Sequence, residues 1–109
     1  MRVVMPRMHV ISRRALREFW QLHPLAKEPL AAWYRLVRSA AFVDFNAVRK
    51  TFPAADYVRP YTIFDVGGNK FRVIVVIQYS RRRIYVRQVL THAAYDRWSV
   101  EQRERKRRK

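Results

Sequence analysis

The sequence predicts an α+β domain: a small antiparallel β-sheet of three to four strands with two N-terminal helices packed on one face. Three observations carry this prediction. In the first forty residues, apolar side chains recur at helical spacing, as Ala15, Leu16, Phe19 and Trp20, and again as Leu30, Trp33, Tyr34 and Val37. From residue 61 to residue 90 the pattern changes to short, β-rich apolar runs with alternation. The chain's only two glycines, Gly67 and Gly68, stand together before Asn69 in that second region. Glycine and asparagine accept the positive φ that tight hairpins demand.

The elements follow in order. Residues 1–7 read as a leader of no assigned structure, and Met8, where the ordered pattern begins, is an alternative start. His9, Val10 and Ile11 read as a short strand. Ser12 is placed to N-cap a helix that stops before Pro24, because the residue before a proline is pushed out of the helical region. A second helix fits residues 27–40, with Pro29 tolerated in its first turn and Arg35 and Arg38 on a solvated face. Asp44 is placed to cap a short helix carrying Phe45 and Val48, ended by Pro53. Residues 54–60 read as a loop, 61–66 as a strand, 70–79 as the strongest strand, 80–83 as a basic turn and 84–90 as the last strand. Thr91 then caps a helical turn through Trp98, and Ser99 with Gln102 has capping-box spacing. Residues 103–109 are almost pure charge and are expected to fray as a basic tail. Residues 8–102 thus form a single domain, with no internal repeat.

Composition narrows the function. Lys and Arg number 24 against 8 acidic residues, a net charge of +16 on 109 residues, which calls for a polyanionic partner. Half the residues are hydrophobic, which argues against disorder. The absence of cysteine excludes a disulfide scaffold, a thiolate metal site and a cysteine nucleophile. No apolar run reaches the ~20 residues of a membrane span, and no secretory signal is visible, so a cytoplasmic protein without a membrane partner is expected. His9, His23 and His92 fit no metal motif, and the acidic residues are scattered, so neither a metal nor another cofactor is expected.

The constellation with chemical potential is basic. Lys70 and Arg72 are two residues apart in a predicted strand and share a face, with Phe71, Val73, Val75 and Ile77 on the other. Arg87 lies in the next strand, where a cation among apolar residues must be paired or open onto a cleft. Arg81, Arg82 and Arg83 fill the intervening turn. Thr91, His92, Tyr95 and Asp96 follow the last strand directly. These are parts for cleaving RNA without metal. Cations stabilise charge gathering on phosphate, a histidine moves protons near neutral pH, and a tyrosine stacks on a base or supplies a hydroxyl. The same residues can also serve as solvent-facing strand charges, a helix-start histidine and a core tyrosine packed on Trp98.

The ordered set Gly67-Gly68-Asn69-Lys70, Arg72, Tyr85-Val86-Arg87 and Thr91-His92-Ala93-Ala94-Tyr95-Asp96 resembles the HigB family of toxins, within the RelE superfamily. So do His9-Val10-Ile11-Ser12 with Ala15-Leu16, and Phe52-Pro53-Ala54-Ala55-Asp56 between helix and sheet. The resemblance implies a toxin that cleaves mRNA on the ribosome, with rRNA contacts, through attack of a ribose 2′-hydroxyl and without metal. It implies a helix-turn-helix antitoxin as partner, and operator DNA reached only through that antitoxin. It assigns Arg72 to the phosphate, His92 and Tyr95 to the catalytic positions after the last strand, and Lys70 beside them. Arg87, Lys70 and Arg81 to Arg83 are the expected RNA-binding cations. Two rivals use the same basic sheet: a non-catalytic RNA- or rRNA-binding module, and a degraded toxin retaining only antitoxin binding.

Overall fold

The computed structural model describes residues 7–107. The expected leader, apart from Arg7, and the last two residues of the expected tail lie outside them. Strand β1 (His9–Ile11) leads into α1 (Arg13–Leu22), a 3-10 turn (Pro24–Ala26) and α2 (Lys27–Ser39). Then come α3 (Phe45–Thr51), β2 (Asp56–Val58), β3 (Tyr61–Val66), β4 (Phe71–Gln78), β5 (Arg83–Thr91) and α4 (His92–Arg107). The α+β class and both N-terminal helices agree with the sequence reading. Asp44 caps α3 as expected, its carboxylate accepting from the Ala47 N–H at 2.9 Å.

The sheet differs from expectation. It has five strands in the order β1-β5-β4-β3-β2, and it is mixed, because β1 runs parallel to β5 while the other pairs are antiparallel. Strand β2 falls in the segment read as a loop. It is three residues long, too short to show a period, and its Arg59-Pro60 connection to β3 lacks the glycine or asparagine that marks a hairpin. The partner of β1 is β5, reached only after α1, α2, α3 and strands β2 to β4, and no local signal encodes that pairing.

Helices cover both faces of the sheet, where one was expected. Leu16 of α1 and Leu30, Trp33 and Val37 of α2 bury against Phe64, Val73, Val75 and Ile84. Trp33 meets Phe64 edge-on at 5.3 Å, and Phe52 closes on the same ring at 4.9 Å. On the other face, Trp98 of α4 packs with Ile63 and Ile74 in a second, smaller cluster. This explains why β4 is buried on both faces from Phe71 to Val75, and it leaves Arg72 on the α4 side, at the end of β4 where α4 begins.

Helix α4 also runs further than expected. Thr91 caps it, accepting from the Ala94 N–H at 3.2 Å, so Ser99 lies inside the helix and starts no new one. Through Arg107 it is helical where fraying was expected. Glu101 and Arg105 stand at i, i+4, and Arg105, Lys106 and Arg107 complement the negative end of the helix dipole. Beyond Trp98 no described residue of α4 is buried, so this part of the helix leaves the core.

The β3–β4 turn is the tightest constraint on backbone. Gly67, Gly68 and Asn69 all have positive φ, at 68°, 60° and 75°. A Cβ on Gly67 would stand 3.1 Å from Phe71 Cδ2 and 3.3 Å from Pro29 Cγ, whereas one on Gly68 meets nothing within 4 Å. Gly68→Ala is expected to cost ~1–2 kcal/mol from the left-handed backbone alone, and Gly67→Ala measurably more because crowding adds. Denaturant midpoints of the two variants check this order.

Candidate active site

Arg72 is 8% exposed, and burying a guanidinium requires partners for its charge and donors. The hairpin supplies them. Asp65 stands opposite Arg72 in the β3–β4 register, and its Oδ1 accepts from Arg72 Nη1 at 3.1 Å. The same Nη1 donates to the Asn69 carbonyl at 3.1 Å, and Nη2 donates to the Asn69 side-chain oxygen. The left-handed backbone of Asn69 thus serves two ends, closing the turn and holding the guanidinium.

The third direction of that fork points to His92. Arg72 Nη2 lies 3.3 Å from His92 Nδ1. Arginine only donates, so Nδ1 accepts, and a neutral His92 carries its proton on Nε2. That Nε2 lies 3.5 Å from Asp96 Oδ2, one helical turn on. His92 is the first residue of α4, and its N–H donates to the Lys70 carbonyl at 2.9 Å, tying the helix start to the hairpin. The helix N-terminus favours an anion at this point, and the first turn of α4 carries no acidic residue to occupy it. His92 is half exposed while Arg72 is buried, so the pair spans from core to solvent.

Tyr95 completes the cluster. The Arg72 guanidinium carbon lies 5.1 Å from its ring centroid, and the ring stacks on Trp98 at 5.7 Å. Tyr95 is therefore both the core aromatic and the site neighbour that the sequence allowed. Burial raises its pKa above the ordinary 10, Asp56 and Asp96 add to this, and Arg72 opposes it, so the ring stays a phenol at neutral pH. The unfolded chain's tyrosine ionises first, so stability present below pH 10 is lost as pH rises through the higher folded value. Tyr95→Phe is expected to blunt that alkaline loss of stability in denaturant titrations. Tyr79, also raised chiefly by burial, sustains the remainder.

The other expected residues are placed unevenly. Lys70 is exposed in the turn rather than in the strand, joined to the cluster through its backbone. Arg87 is exposed, not buried, and stands at the irregularity of the β4–β5 ladder between Ile74 and Val75. Its guanidinium lies 5.5 Å from the Tyr85 ring centroid, roughly 10 Å along the strand from the Arg72 position. Arg81, Arg82 and Arg83 are exposed at the opposite end of β4, roughly 20 Å from Arg72, so they form no part of this cluster. Sequence reasoning missed Asp65 and Asn69. Hairpin arithmetic contains the signal, because a turn at 67–70 sets Val66 opposite Phe71 and Asp65 opposite Arg72.

Comparison with known proteins bears on the same region. The model of the HigB toxin family, described as the RelE-like toxic component of a toxin–antitoxin system, matches residues 26–98, which include Lys70, Arg72, His92 and Tyr95. The mRNA interferase toxin HigB of Escherichia coli K12 is 30% identical over 92 residues, covering 82% of this chain and 88% of that protein. The mRNA interferase HigB of Escherichia coli O6:H1 is 32% identical over 102 residues, covering 91% and 99%. With the family pattern spanning α2 to Trp98 and the relatives aligned over most of both chains, this protein belongs to the HigB toxin family.

Proposed function

We propose that this chain is a ribosome-dependent mRNA endonuclease, the toxin of a type II toxin–antitoxin pair, and that it needs no metal. The observation that carries the reading is the convergence of Arg72, His92 and Tyr95 at the N-terminus of α4. The ribose 2′-oxygen attacks the adjacent phosphorus while the bond to the 5′-oxygen breaks. Arg72 stabilises the negative charge gathering on the non-bridging oxygens. His92 donates a proton to the departing 5′-oxygen. Tyr95 holds or stacks a base beside the scissile bond. Two groups can take the 2′-proton, the Lys70 amine and a group of the ribosome, and single-turnover rates of Lys70→Met separate them. A cognate helix-turn-helix antitoxin restrains the toxin and carries it to operator DNA.

The test is cleavage of mRNA by the purified protein on translating ribosomes and in free solution, alongside growth arrest on expression without antitoxin. Cleavage confined to ribosomes is the expected result. Ribosome binding with no cleavage under either condition would convert the protein to an RNA-binding module. Association is expected to weaken steeply with salt through counterion release. Deleting residues 103–109, with six cations and one glutamate, is expected to lower that salt slope by about one for each phosphate the shortened chain no longer neutralises. Cleavage at saturating ribosomes is expected to persist. Ribosome pelleting across a salt series, with and without the deletion, measures both effects.

A further inference from the structure

Asp56 is an exposed carboxylate without a cation, in a chain of 24 basic and 8 acidic residues. Among the described residues, Asp65 pairs with Arg72 and Asp96 faces His92, but Asp56 is in no ion pair. Its Oδ1 accepts from the adjacent Tyr57 N–H at 2.8 Å. The sheet fixes where the side chain faces. Asp56 stands opposite Ile63 in the β2–β3 register, and Ile63 stands opposite Ile74 of β4. Directly paired residues share a face, and Ile63 and Ile74 pack with Trp98 of α4. Val58, two residues on, packs against the same cluster, whereas Tyr57 between them meets Phe45 of α3 with ring centroids 5.7 Å apart. The Asp56 carboxylate therefore lies on the α4 face of the sheet, the face of Arg72 and Tyr95.

Tyr95 stands between the two. The register sets the Asp56 backbone two strands across and two residues along from Arg72, roughly 12 Å away. Burial aside, Asp56 raises the Tyr95 pKa more than Asp96 does and more than Arg72 lowers it, in keeping with this placement. The Trp98 ring and the Arg72 guanidinium already lie against the Tyr95 ring, so what it offers a ligand is its hydroxyl. A carboxylate repels phosphate and accepts from N–H donors, and in RNA those donors belong to the bases. Guanine presents O6, N1–H and the N2 amino group in a row, one acceptor followed by two adjacent donors. A phenol donor beside a two-oxygen acceptor is the complement of that edge. Adenine and cytosine put a ring-nitrogen acceptor beside one amino donor, and uracil flanks its N–H with two carbonyls. Each of these sets a lone pair against the carboxylate.

We propose that Asp56 and Tyr95 read a guanine beside the scissile phosphate, Asp56 accepting from N1–H and the N2 amino group and Tyr95 donating to O6. The inference rests on the RNA-cleavage reading above and deepens it, since there Tyr95 holds a base and here the base is named. Arg72 takes the phosphate while the Asp56 carboxylate takes the base edge. Asp56 touches no reacting atom, so it sets the position of cleavage and not the chemistry. This also accounts for an unpaired acid on the site face of so basic a domain, because its charge keeps phosphate out of the place meant for a base.

The experiment maps cleavage positions along one mRNA on translating ribosomes for full-length wild type, Asp56→Asn and Asp56→Ala. It also measures binding of fluorescein-labelled 2′-O-methyl uridine hexamers that carry one guanosine, inosine or adenosine. Asp56 is exposed, and thermal melts verify folding. Wild type is expected to cleave beside guanine about tenfold or more in preference to other bases. Inosine, which lacks only the N2 amino group, is expected to bind several-fold more weakly than guanosine. Asp56→Ala is expected to level the bases in both assays. Asp56→Asn, with one acceptor and one donor, is expected to shift the preference toward adenine. A purely structural Asp56 would alter rates without altering base preference. Cleavage indifferent to the base, or a guanine preference that survives in Asp56→Ala, would overturn the proposal. Wild type that cleaves nothing would remove the catalytic reading, and the hexamers would then decide the base, with equal affinity for guanosine and inosine overturning the proposal.

Discussion

Arg72→Ala is expected to reduce single-turnover mRNA cleavage about 10²–10³-fold, the usual cost of removing a preorganised donor to a developing oxyanion. Growth arrest on expression should disappear with it. On the proposed mechanism the arginine is set before substrate arrives, because Asp65, Asn69 and the β-ladder hold it in place. That preorganisation is what makes the loss large. The substitution also strands Asp65, whose side chain is 25% exposed and can recover part of its hydration. A stability loss of about 1–3 kcal/mol follows, leaving a folded protein that still binds its antitoxin. Arg72→Lys keeps a charge but loses the planar fork that meets Asp65, Asn69 and His92 together, so it is expected to recover only a small part of the rate. Cleavage assays, thermal melts and antitoxin pull-down, run on the same preparations, measure the three quantities. Full toxicity of Arg72→Ala at equal expression would remove Arg72 from the chemistry.

Much of this arrangement is legible before folding, and the parts that are not share a cause. Helices α1, α2 and α3 are visible because their stripes and caps are local, as with Asp44 and the run from Leu30 to Val37. Strands β3 to β5 are visible because Gly67-Gly68-Asn69 fixes a turn between alternating segments. Arg72, His92 and Tyr95 stand out because Arg72 shares a strand face with Lys70, His92 and Tyr95 follow the last strand directly, and their order resembles that of the HigB family. Strand β1 is legible as a strand but its place is not, because its partner β5 is remote in sequence, whereas β2 escapes because three residues carry no period and its Arg59-Pro60 turn lacks a hairpin signal. Asp65 escapes because its role depends on register. The full length of α4 escapes because a segment this rich in charge reads as solvated coil. Its i, i+4 charge pattern and basic end favour helix instead.

His92→Gln is expected to slow single-turnover cleavage about 10²-fold or more while leaving ribosome binding nearly intact, since it removes the proton donor and little of the electrostatic attraction. In the free protein Nδ1 accepts from Arg72 and Nε2 faces Asp96. A phosphate that enters beside Arg72 competes for the Nη2 donor. On the proposed mechanism, Nδ1 is then released to take up a proton from solvent and pass it to the departing 5′-oxygen, while Asp96 holds the Nε2–H on the far side of the ring. On that mechanism Asp96 is a positioning residue. Asp96→Asn is expected to lower the maximal rate modestly and shift its pH profile, with KM little changed, whereas a purely structural helix contact would leave the profile in place. The chemistry also fixes the products. Attack by the 2′-oxygen with proton transfer to the 5′-oxygen yields a 2′,3′-cyclic phosphate on one fragment and a 5′-hydroxyl on the other. Cleavage is expected to persist in excess chelator, provided the ribosomes are shown to remain assembled. End-group analysis of the fragments decides the matter. A 5′-phosphate would mean that water is the nucleophile, and the roles given to Arg72 and His92 would not survive it.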